Sequence, residues 1–404
     1  MKQKMIAVAL FAATTATVAL FPHIGSVNAV TATTQQLPIA PVTLPIIQEK
    51  AAIEVVFVLD TTGSMGGLID AAKEKIWSIA SNMASANNAP DIRMGLVAYR
   101  DRGDKYVTRV SDLSEDLDSM YATLMDFEAA GGGDGPESVN QALDDAVNKI
   151  SWSDDQQTYK VLFLVGDAPP HMDYQDDVKY PETITKAKSK GIFVNAIQCG
   201  ENRSTTRKWQ QMAQLGDGRY FQVEQDGGAI AVATPFDREL ANLSAKLDET
   251  RLYYGNAEEK VKQQRKIAAT EKLHAGASVA SRARRATYNA SESGRKNFLG
   301  KGELVDDVTD GKVDIESIDP DMLPKPMRSM APEEQKAVIT KKAQQRRELQ
   351  QQIQALSEKR SGFIKEKVEE SEGVEDSLDY KLFSAIKDQA EKKGLEYRSE
   401  TPAY

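Results

Sequence analysis

The stretch Asp60-Thr61-Thr62-Gly63-Ser64 joins an apolar, strand-like run at residues 53–59 to a stretch with helical periodicity, and the rest of the chain is organised around it. Its oxygen-bearing side chains Asp60, Thr62 and Ser64 alternate along the loop. An extended turn at the carboxyl end of a parallel strand would aim all three oxygens at one point. Hard divalent cations prefer oxygen ligands of this kind. The stretch therefore predicts a metal site on a strand-to-helix loop.

Two of these three side chains are neutral hydroxyls, so they neutralise little of the charge of a divalent ion. Such an ion stays electrophilic and keeps a coordination position open for an outside carboxylate or a water molecule. Oxygen-only ligands favour magnesium or manganese, allow calcium and argue against zinc. The predicted site would therefore bind a further ligand through its cation.

Residues 50–255 alternate apolar strand-like runs with amphipathic stretches, which is typical of a parallel sheet flanked by helices. Near-continuous apolar runs such as residues 55–59 indicate strands that are buried on both faces. In α/β sheets of this kind, ligands bind at the carboxyl ends of the strands, where Asp60 lies. We predict strands at residues 53–59, 92–99, 159–165, 192–197 and 220–223, and helices at residues 68–86, 117–127, 138–149, 182–190 and 206–215.

A glycine-rich segment at residues 131–137 comes directly before one of the predicted helices. Its three glycines allow a close approach of the backbone, so Asp134 could enter the metal sphere from the side. In the simpler alternative, Asp134 only starts the helix, and Glu137 complements the helix dipole in its first turn. Asp167, after the apolar run 161–166, would by itself be an ordinary residue of a strand-end turn.

The spacing D-x-T-x-S at residues 60–64, with Gly63, Met65 and Gly66 around it, resembles the metal-ion-dependent adhesion site (MIDAS) of von Willebrand factor A-type (VWA) domains. The resemblance covers residues 50–255 and implies a Rossmann-like fold with a mainly parallel central sheet. It also implies a ligand set of Asp60, Thr62, Ser64, Asp134 and Asp167, with Asp167 contacting the ion directly or through water. Family members of the integrin type usually carry threonine in the second loop. An aspartate ligand there would make the site less ready to accept an outside carboxylate.

The amino terminus has the pattern of a secretory signal peptide at residues 1–29. Lys2 and Lys4 precede an apolar run at residues 5–21, and small residues at 27–29 form a cleavage pattern. The alternative is an uncleaved membrane anchor, but threonines dilute the run and it is short for a bilayer span. No later apolar run is long enough to span a membrane. We expect a soluble, exported protein, periplasmic or secreted, with a flexible linker at residues 30–49.

Charge and cysteine content argue against nucleic-acid binding and against stabilisation by an intrachain disulfide. The formal net charge is -9 and no basic cluster stands out, so nucleic acid is not an expected partner. Cys199 is the only cysteine, so an intrachain disulfide is excluded, and its place at the end of an apolar run indicates a buried structural thiol.

The chain after the predicted domain is rich in helical patterns. We expect the first part of an apolar stripe at residues 240–268 to close the domain as its last helix, and the rest to form a helical stalk rather than a compact core. The predicted divisions are a helical extension at 256–299, a connector at 300–331 and a helical carboxyl-terminal region at 332–404. Residues Leu349, Ile353, Leu356 and Phe363 could pack against the earlier helix as an antiparallel, coiled-coil hairpin, or lie on a solvated single helix. A short amphipathic helix is predicted at 380–390, and residues 395–397 could add a strand.

Two features near the predicted site receive ordinary structural interpretations. The tripeptide Arg102-Gly103-Asp104 lies in a charged loop and is interpreted as a solvated turn, not as an integrin ligand. His171 lies in the third metal loop, which begins at Asp167, and is interpreted as a rim histidine with no role.

These patterns predict an exported module that binds a protein or a surface ligand through a divalent cation, with the partner donating a carboxylate. The alternative is a structural scaffold whose carboxyl-terminal helices bind the partner. A metal-dependent hydrolase is disfavoured, because only His171 and His274 follow the signal peptide and the chain has no G-x-S-x-G elbow, no H-E-x-x-H and no Walker phosphate loop. The sequence does not specify the partner or the oligomeric state.

Overall fold

The part of the chain that the computed structural model describes comprises residues 51–133, 135–225, 232–369, 378–397 and 402, and six strands in it form one sheet. The strands are β1 (Ala52–Asp60), β2 (Asp91–Tyr99), β3 (Thr108–Ser114), β4 (Tyr159–Gly166), β5 (Ile192–Cys199) and β6 (Asp217–Val223). Their order is β3-β2-β1-β4-β5-β6, and β3 is antiparallel to β2 while the other neighbours are parallel. This mainly parallel sheet confirms the predicted α/β class and all five predicted strands. The sequence analysis misses β3, whose mostly polar residues lie at the sheet edge.

The pairing of the two central strands places the predicted site. Leu59 of β1 lies opposite Val165 of β4 in a parallel register. Asp60 and Asp167, which follow these two residues, therefore come to the same edge of the sheet. Strands β1 and β4 are almost wholly buried, as their continuous apolar sequences require.

Helices cover both faces of the sheet. The helices in the first part of the chain are α1 (Gly66–Ala84), α2 (Leu117–Met125), α3 (Val139–Asn148), α4 (Tyr180–Ser189), α5 (Arg203–Leu215) and α6 (Asp237–Asp248). Apolar side chains of α1 and α2 share one core with the sheet, and those of α3, α4 and α5 share the core on the opposite face. The five helices predicted before residue 216 are confirmed, with ends that differ by a few residues.

The remaining helices form a helical carboxyl-terminal region, as predicted. They are α7 (Ala257–Gly276), α8 (Val279–Ala290), α9 (Arg295–Leu299), α10 (Leu304–Thr309), α11 (Pro332–Glu369) and α12 (Leu378–Glu391). The predicted stalk is wrong, because α7 packs along α2. Thr270 donates to Asp118 (3.1 Å), Lys266 pairs with Asp116 (2.7 Å), and Leu273 is fully buried.

A buried guanidinium joins this region to the helices of the first part. Arg285 of α8 donates two hydrogen bonds of 2.6 Å to Asp118 of α2. It also bonds Asp248 of α6 at 2.7 and 3.1 Å. Because all three side chains are buried, the network fixes α8 between α2 and α6.

The long helix α11 packs antiparallel to α6. Its Arg346 bonds the hydroxyl of Thr250, just after α6, and its Arg360 bonds Asp237 at the start of α6. Between these two points, Leu349 and Ile353 join a buried cluster that includes residues of α6 and α8. Helix α11 is therefore packed against earlier helices and is not a solvated single helix, while the coiled-coil hairpin stays a prediction.

Helix α12 lies on the sheet itself. Leu382, Phe383 and Ile386 belong to the same core as β1, β4 and α1, although more than 100 residues separate α12 from the end of the sheet. The amide of Gln389 exchanges hydrogen bonds with Asn195 on β5 (2.9 and 3.1 Å). The strand proposed at residues 395–397 reduces to one isolated bridge, between Tyr397 and Ala86.

The predicted signal peptide and linker, residues 1–49, lie outside the described residues. Within the described ranges, no helix combines the length and apolarity that crossing a membrane requires. The domain divisions proposed from the sequence stay predictions.

Candidate metal site at the carboxyl edge of the sheet

Asp60 has one engaged and one unengaged carboxylate oxygen. Its Oδ1 accepts hydrogen bonds from the backbone N (2.9 Å) and the hydroxyl (2.7 Å) of Thr62. Its Oδ2 is buried, and no hydrogen bond of normal geometry reaches it within the described residues, although the hydroxyl of Tyr99 nearby lowers the pKa of Asp60. Buried polar atoms nearly always have a partner, so this oxygen is available for a ligand.

The charge on Asp60 is poorly compensated. Burial raises the pKa of Asp60 to about 7, the hydrogen bonds from Thr62 act in the opposite direction, and the nearby charge of Asp167 raises the pKa further. A carboxylate whose ionised form is disfavoured in this way gains most from a bound cation, since the cation replaces the lost hydration.

The first loop is held in place by its own residue Thr61 and by Arg100. Thr61 donates to the carbonyl of Tyr99 through its backbone N (2.9 Å) and its hydroxyl (2.8 Å). Arg100 donates to the carbonyl oxygens of Thr61 (3.1 Å) and Glu128 (2.7 Å). These hydrogen bonds therefore hold the backbone of the loop against β2.

The glycine-rich second loop lies against the first. The backbone N of Gly63 donates to the carbonyl oxygen of Gly131 (3.1 Å), and the backbone N of Gly132 donates to Asp104 (3.0 Å). Gly131 has φ of 79°, and a Cβ there would lie 2.3 Å from the Asp104 carboxylate, so only glycine fits. Asp134, the ligand predicted in this loop, lies outside the described residues.

Glu137 is a buried acid next to the site. It is 4% exposed, and its Oε2 has no hydrogen-bond partner within the described part of the chain. Burial raises the pKa of Glu137 to about 9, and the charge of Asp60 raises it next most strongly. Its backbone joins the second and third loops, because its N donates to Pro169 (2.9 Å) and its carbonyl accepts from His171 (3.0 Å). From the sequence, Glu137 is predicted only to complement the helix dipole in the first turn.

Asp167 stands at the end of β4, as predicted, and packs beside Asp60. A Cβ on Gly166 would lie 3.0 Å from Asp60 Oδ2, so the missing side chain lets the two loops meet. Asp167 Oδ2 accepts a hydrogen bond from Gln225 Nε2 (2.8 Å), and its carbonyl accepts from Thr205 (2.9 Å). The structure thus brings Asp60, Thr62 and Asp167 together, while the side chain of Ser64 is solvent-exposed on the same loop.

His171 and Arg102 form a stacked cluster beside this site. The rings of His171 and Tyr174 are stacked, with 4.0 Å between their centroids. The guanidinium of Arg102 lies 4.1 Å from the centroid of the same Tyr174 ring. Arg102 also pairs with Asp176 (2.9 Å) and Asp177 (2.5 Å). His171 is only 4% exposed, so it is not a rim residue. Arg102 and Gly103 lie in an exposed turn, as predicted, and the ion pairs of Arg102 tie this turn to the loop that carries Asp176 and Asp177.

The donor set fits a hard divalent cation. The described residues contain no group of three or more His, Cys, Asp and Glu side chains placed to hold a metal. Two carboxylates with neighbouring hydroxyls match the chemistry of magnesium, manganese or calcium instead. Cys199 is buried, as predicted.

A family model described as von Willebrand factor A domain matches residues 54–235, and the sheet topology agrees with this match, so this segment is a VWA domain. A putative ariadne-like RING finger protein R811 of Acanthamoeba polyphaga mimivirus is 26% identical over 125 residues, which are 31% of this chain and 12% of that protein. The rat von Willebrand factor A domain-containing protein 7 is 40% identical over 88 residues, 22% of this chain and 9% of that protein. The chain therefore spans a small part of these curated relatives.

Solved structures with a similar segment include a mussel byssus protein, proximal thread matrix protein 1, with a zinc-occupied MIDAS motif. It has a TM-score of 0.36 and 14% identity, and the alignment covers 44% of this chain and 43% of that one. The SpRpn10 VWA domain has a TM-score of 0.33 and 15% identity, with coverage of 44% and 89%.

Proposed function

We propose that this protein binds one divalent cation at the carboxyl edge of its sheet and uses that cation to bind a partner. Asp60, Thr62, Ser64, Asp134 and Asp167 would hold the ion. The observation that supports this most strongly is the buried Oδ2 of Asp60, which no hydrogen bond of normal geometry reaches in the described structure. Magnesium or manganese is the expected ion, with calcium as the larger alternative.

The residues around Asp60 divide the work of such a site. Thr62 engages Oδ1 of Asp60 from two directions and so turns Oδ2 away from the loop. Asp167 adds a second negative charge, while the hydroxyls add none. The bound cation supplies positive charge and an open coordination position for an oxygen of the partner.

The acids behind the site limit the kind of partner. The charges of Asp60, Asp101, Asp104 and Asp167 all raise the pKa of Glu137, which shows that these carboxyl groups share one region. This negative region strengthens cation binding and weakens the attraction for an outside carboxylate. We expect a protein or surface ligand that reaches the ion with an oxygen group, and whose carboxylate, if it donates one, must be paired with positive charge nearby.

Calorimetric titration tests the site. Chelator-treated protein is titrated with magnesium, manganese and calcium chloride, in parallel with Asp60→Ala. One ion should bind to the wild type and none to the variant. Asp321→Ala is the matched control, because Asp321 is an exposed aspartate elsewhere on the chain with 91% of its side chain accessible. Cation binding that persists unchanged in Asp60→Ala would show that the site is elsewhere or absent.

A truncation near residue 255 cannot test whether the carboxyl-terminal helices bind the partner. Such a truncation removes α12, whose Leu382, Phe383 and Ile386 lie in the core of the sheet. Partner capture with and without chelator, using the wild type and Asp60→Ala, separates the two functions without disturbing the core. Capture that depends on the cation and is lost in Asp60→Ala supports the metal site, whereas capture that ignores both supports the helices.

We also propose that the protein is exported and acts without catalysis. The predicted signal pattern at residues 1–29 supports export to the periplasm or the medium. The sequence carries none of the common nucleophile motifs, which supports a binding role. Turnover of a generic ester or phosphate substrate that Asp167→Ala abolishes would contradict the second proposal.

A further inference from the structure

Gln225, in the segment after the edge strand β6, contacts the candidate metal site. It follows β6 by two residues, and its Nε2 donates a 2.8 Å hydrogen bond to Oδ2 of Asp167. The same Nε2 lies 3.5 Å from the backbone oxygen of Ser64. One amide therefore contacts the first loop and the third loop, which both carry proposed cation ligands.

The other end of the Gln225 side chain is also positioned. A Cβ on Gly200, the residue after β5, would lie 2.3 Å from Gln225 Oε1. Gly200 itself has φ of 71° and donates its backbone N to Val223 of β6 (2.9 Å). The missing side chain at Gly200 thus leaves the space in which the amide of Gln225 lies.

We infer that Gln225 is a positioning residue of the cation site, an inference that rests on the proposed function. Its amide holds one oxygen of Asp167, which orients the carboxylate and leaves the other oxygen for the ion. The donated hydrogen bond also stabilises the negative charge of Asp167 beside that of Asp60. Removing a partner that orients a metal ligand typically weakens metal binding about 10- to 100-fold.

The test compares Gln225→Ala with the control Gln222→Ala by calorimetric titration with magnesium and manganese chloride. Gln222 is an exposed glutamine on the same strand end that bonds the Gly200 carbonyl (2.9 Å) and makes no contact with Asp167. Gln225→Ala should lower the cation affinity about 10- to 100-fold and leave the melting temperature of the chelator-treated protein unchanged. Gln222→Ala should bind like the wild type. A purely structural role of Gln225 would instead lower the melting temperature and leave the affinity alone.

Gly200→Ala provides a second variant, because its new methyl group displaces the Gln225 amide without altering residue 225. Alanine at a φ of 71° also strains the backbone, so the melting temperature of this variant is measured beside its cation affinity. If Gly200 acts through Gln225, the double variant that combines Gly200→Ala with Gln225→Ala should bind the cation as weakly as Gln225→Ala alone, and no more weakly. Affinity of Gln225→Ala within twofold of the wild type overturns the inference while the proposed function stands. Absence of cation binding by the wild type overturns both.

Discussion

The packing of α12 on the sheet makes a quantitative prediction for Asp379→Asn. Lys75 Nζ on α1 lies 2.6 Å from Asp379 Oδ2 on α12, and both side chains are 1% exposed. The variant leaves a buried ammonium group without its carboxylate. Breaking a buried ion pair in this way lowers the free energy of unfolding by about 3–5 kcal/mol.

Deprotonation of Lys75 sets an upper limit to this loss. An ordinary lysine has a pKa of roughly 10.4, so neutralising it at pH 7 costs about 4.6 kcal/mol. Burial already lowers the pKa of Lys75, which reduces that cost. Between pH 7 and 10 the unfolded variant binds more protons than the folded one, so its stability rises with pH. We therefore expect a loss near 3–4 kcal/mol at pH 7, by the same buried-pair reasoning, and a smaller loss at pH 10.

Urea denaturation followed by circular dichroism measures these changes. The double variant Lys75→Met with Asp379→Leu should regain most of the stability, because it removes both buried charges. Lys188→Met is the control, since its pair with Asp217 (2.8 Å) is about half exposed and should contribute less than about 1 kcal/mol. An Asp379→Asn protein within about 1 kcal/mol of the wild type at pH 7 would refute the proposed packing.

Acid and one glycine substitution test two other parts of the structure. Burial raises the pKa of Asp118 and Asp248, but Arg285 outweighs it and holds the pKa of Asp248 at about 2 and that of Asp118 well below its usual range. The stability that the ionised forms of these two carboxylates provide is present above about pH 4 and lost as the pH falls towards about 2. Urea titrations between pH 5 and 2.5 should therefore show a larger loss of unfolding free energy in the wild type than in Arg285→Met. Equal losses in the two proteins contradict this prediction. Gly166→Ala places a methyl group 3.0 Å from Asp60 Oδ2 and should weaken cation binding about tenfold by calorimetry; unchanged affinity argues against a site between these loops.

Three of the five strands that the sequence predicts, β1, β4 and β5, are almost wholly buried. Their sequences are largely apolar, and such runs are visible without knowledge of their neighbours. β3 is different, because it pairs only with β2 at the sheet edge and keeps mostly polar residues. Its strand conformation comes from that pairing and not from its composition.

The candidate site divides in the same way. Asp60 and Asp167 follow buried strands, and parallel strands end at one edge of a sheet, so their proximity could be predicted. Glu137 and Gln225 could not, because a glutamate before a helix and a glutamine after a strand are ordinary residues. The contacts of Glu137 and Gln225 with the candidate site depend on the positions that the second loop and the segment after β6 take in the folded protein.

Local patterns in the sequence are enough to predict the α/β class, the metal-site spacing at residues 60–64 and the amphipathic character of α12. Periodicity shows that one face of a helix is buried, but it carries no information about the surface that buries it. The position of α12 against α1 and the sheet is visible in the folded structure alone, where Ser78 of α1 and Asp379 of α12 meet across 301 residues of chain. Such long-range contacts depend on the complementary shape and charge of two surfaces, which no local pattern records.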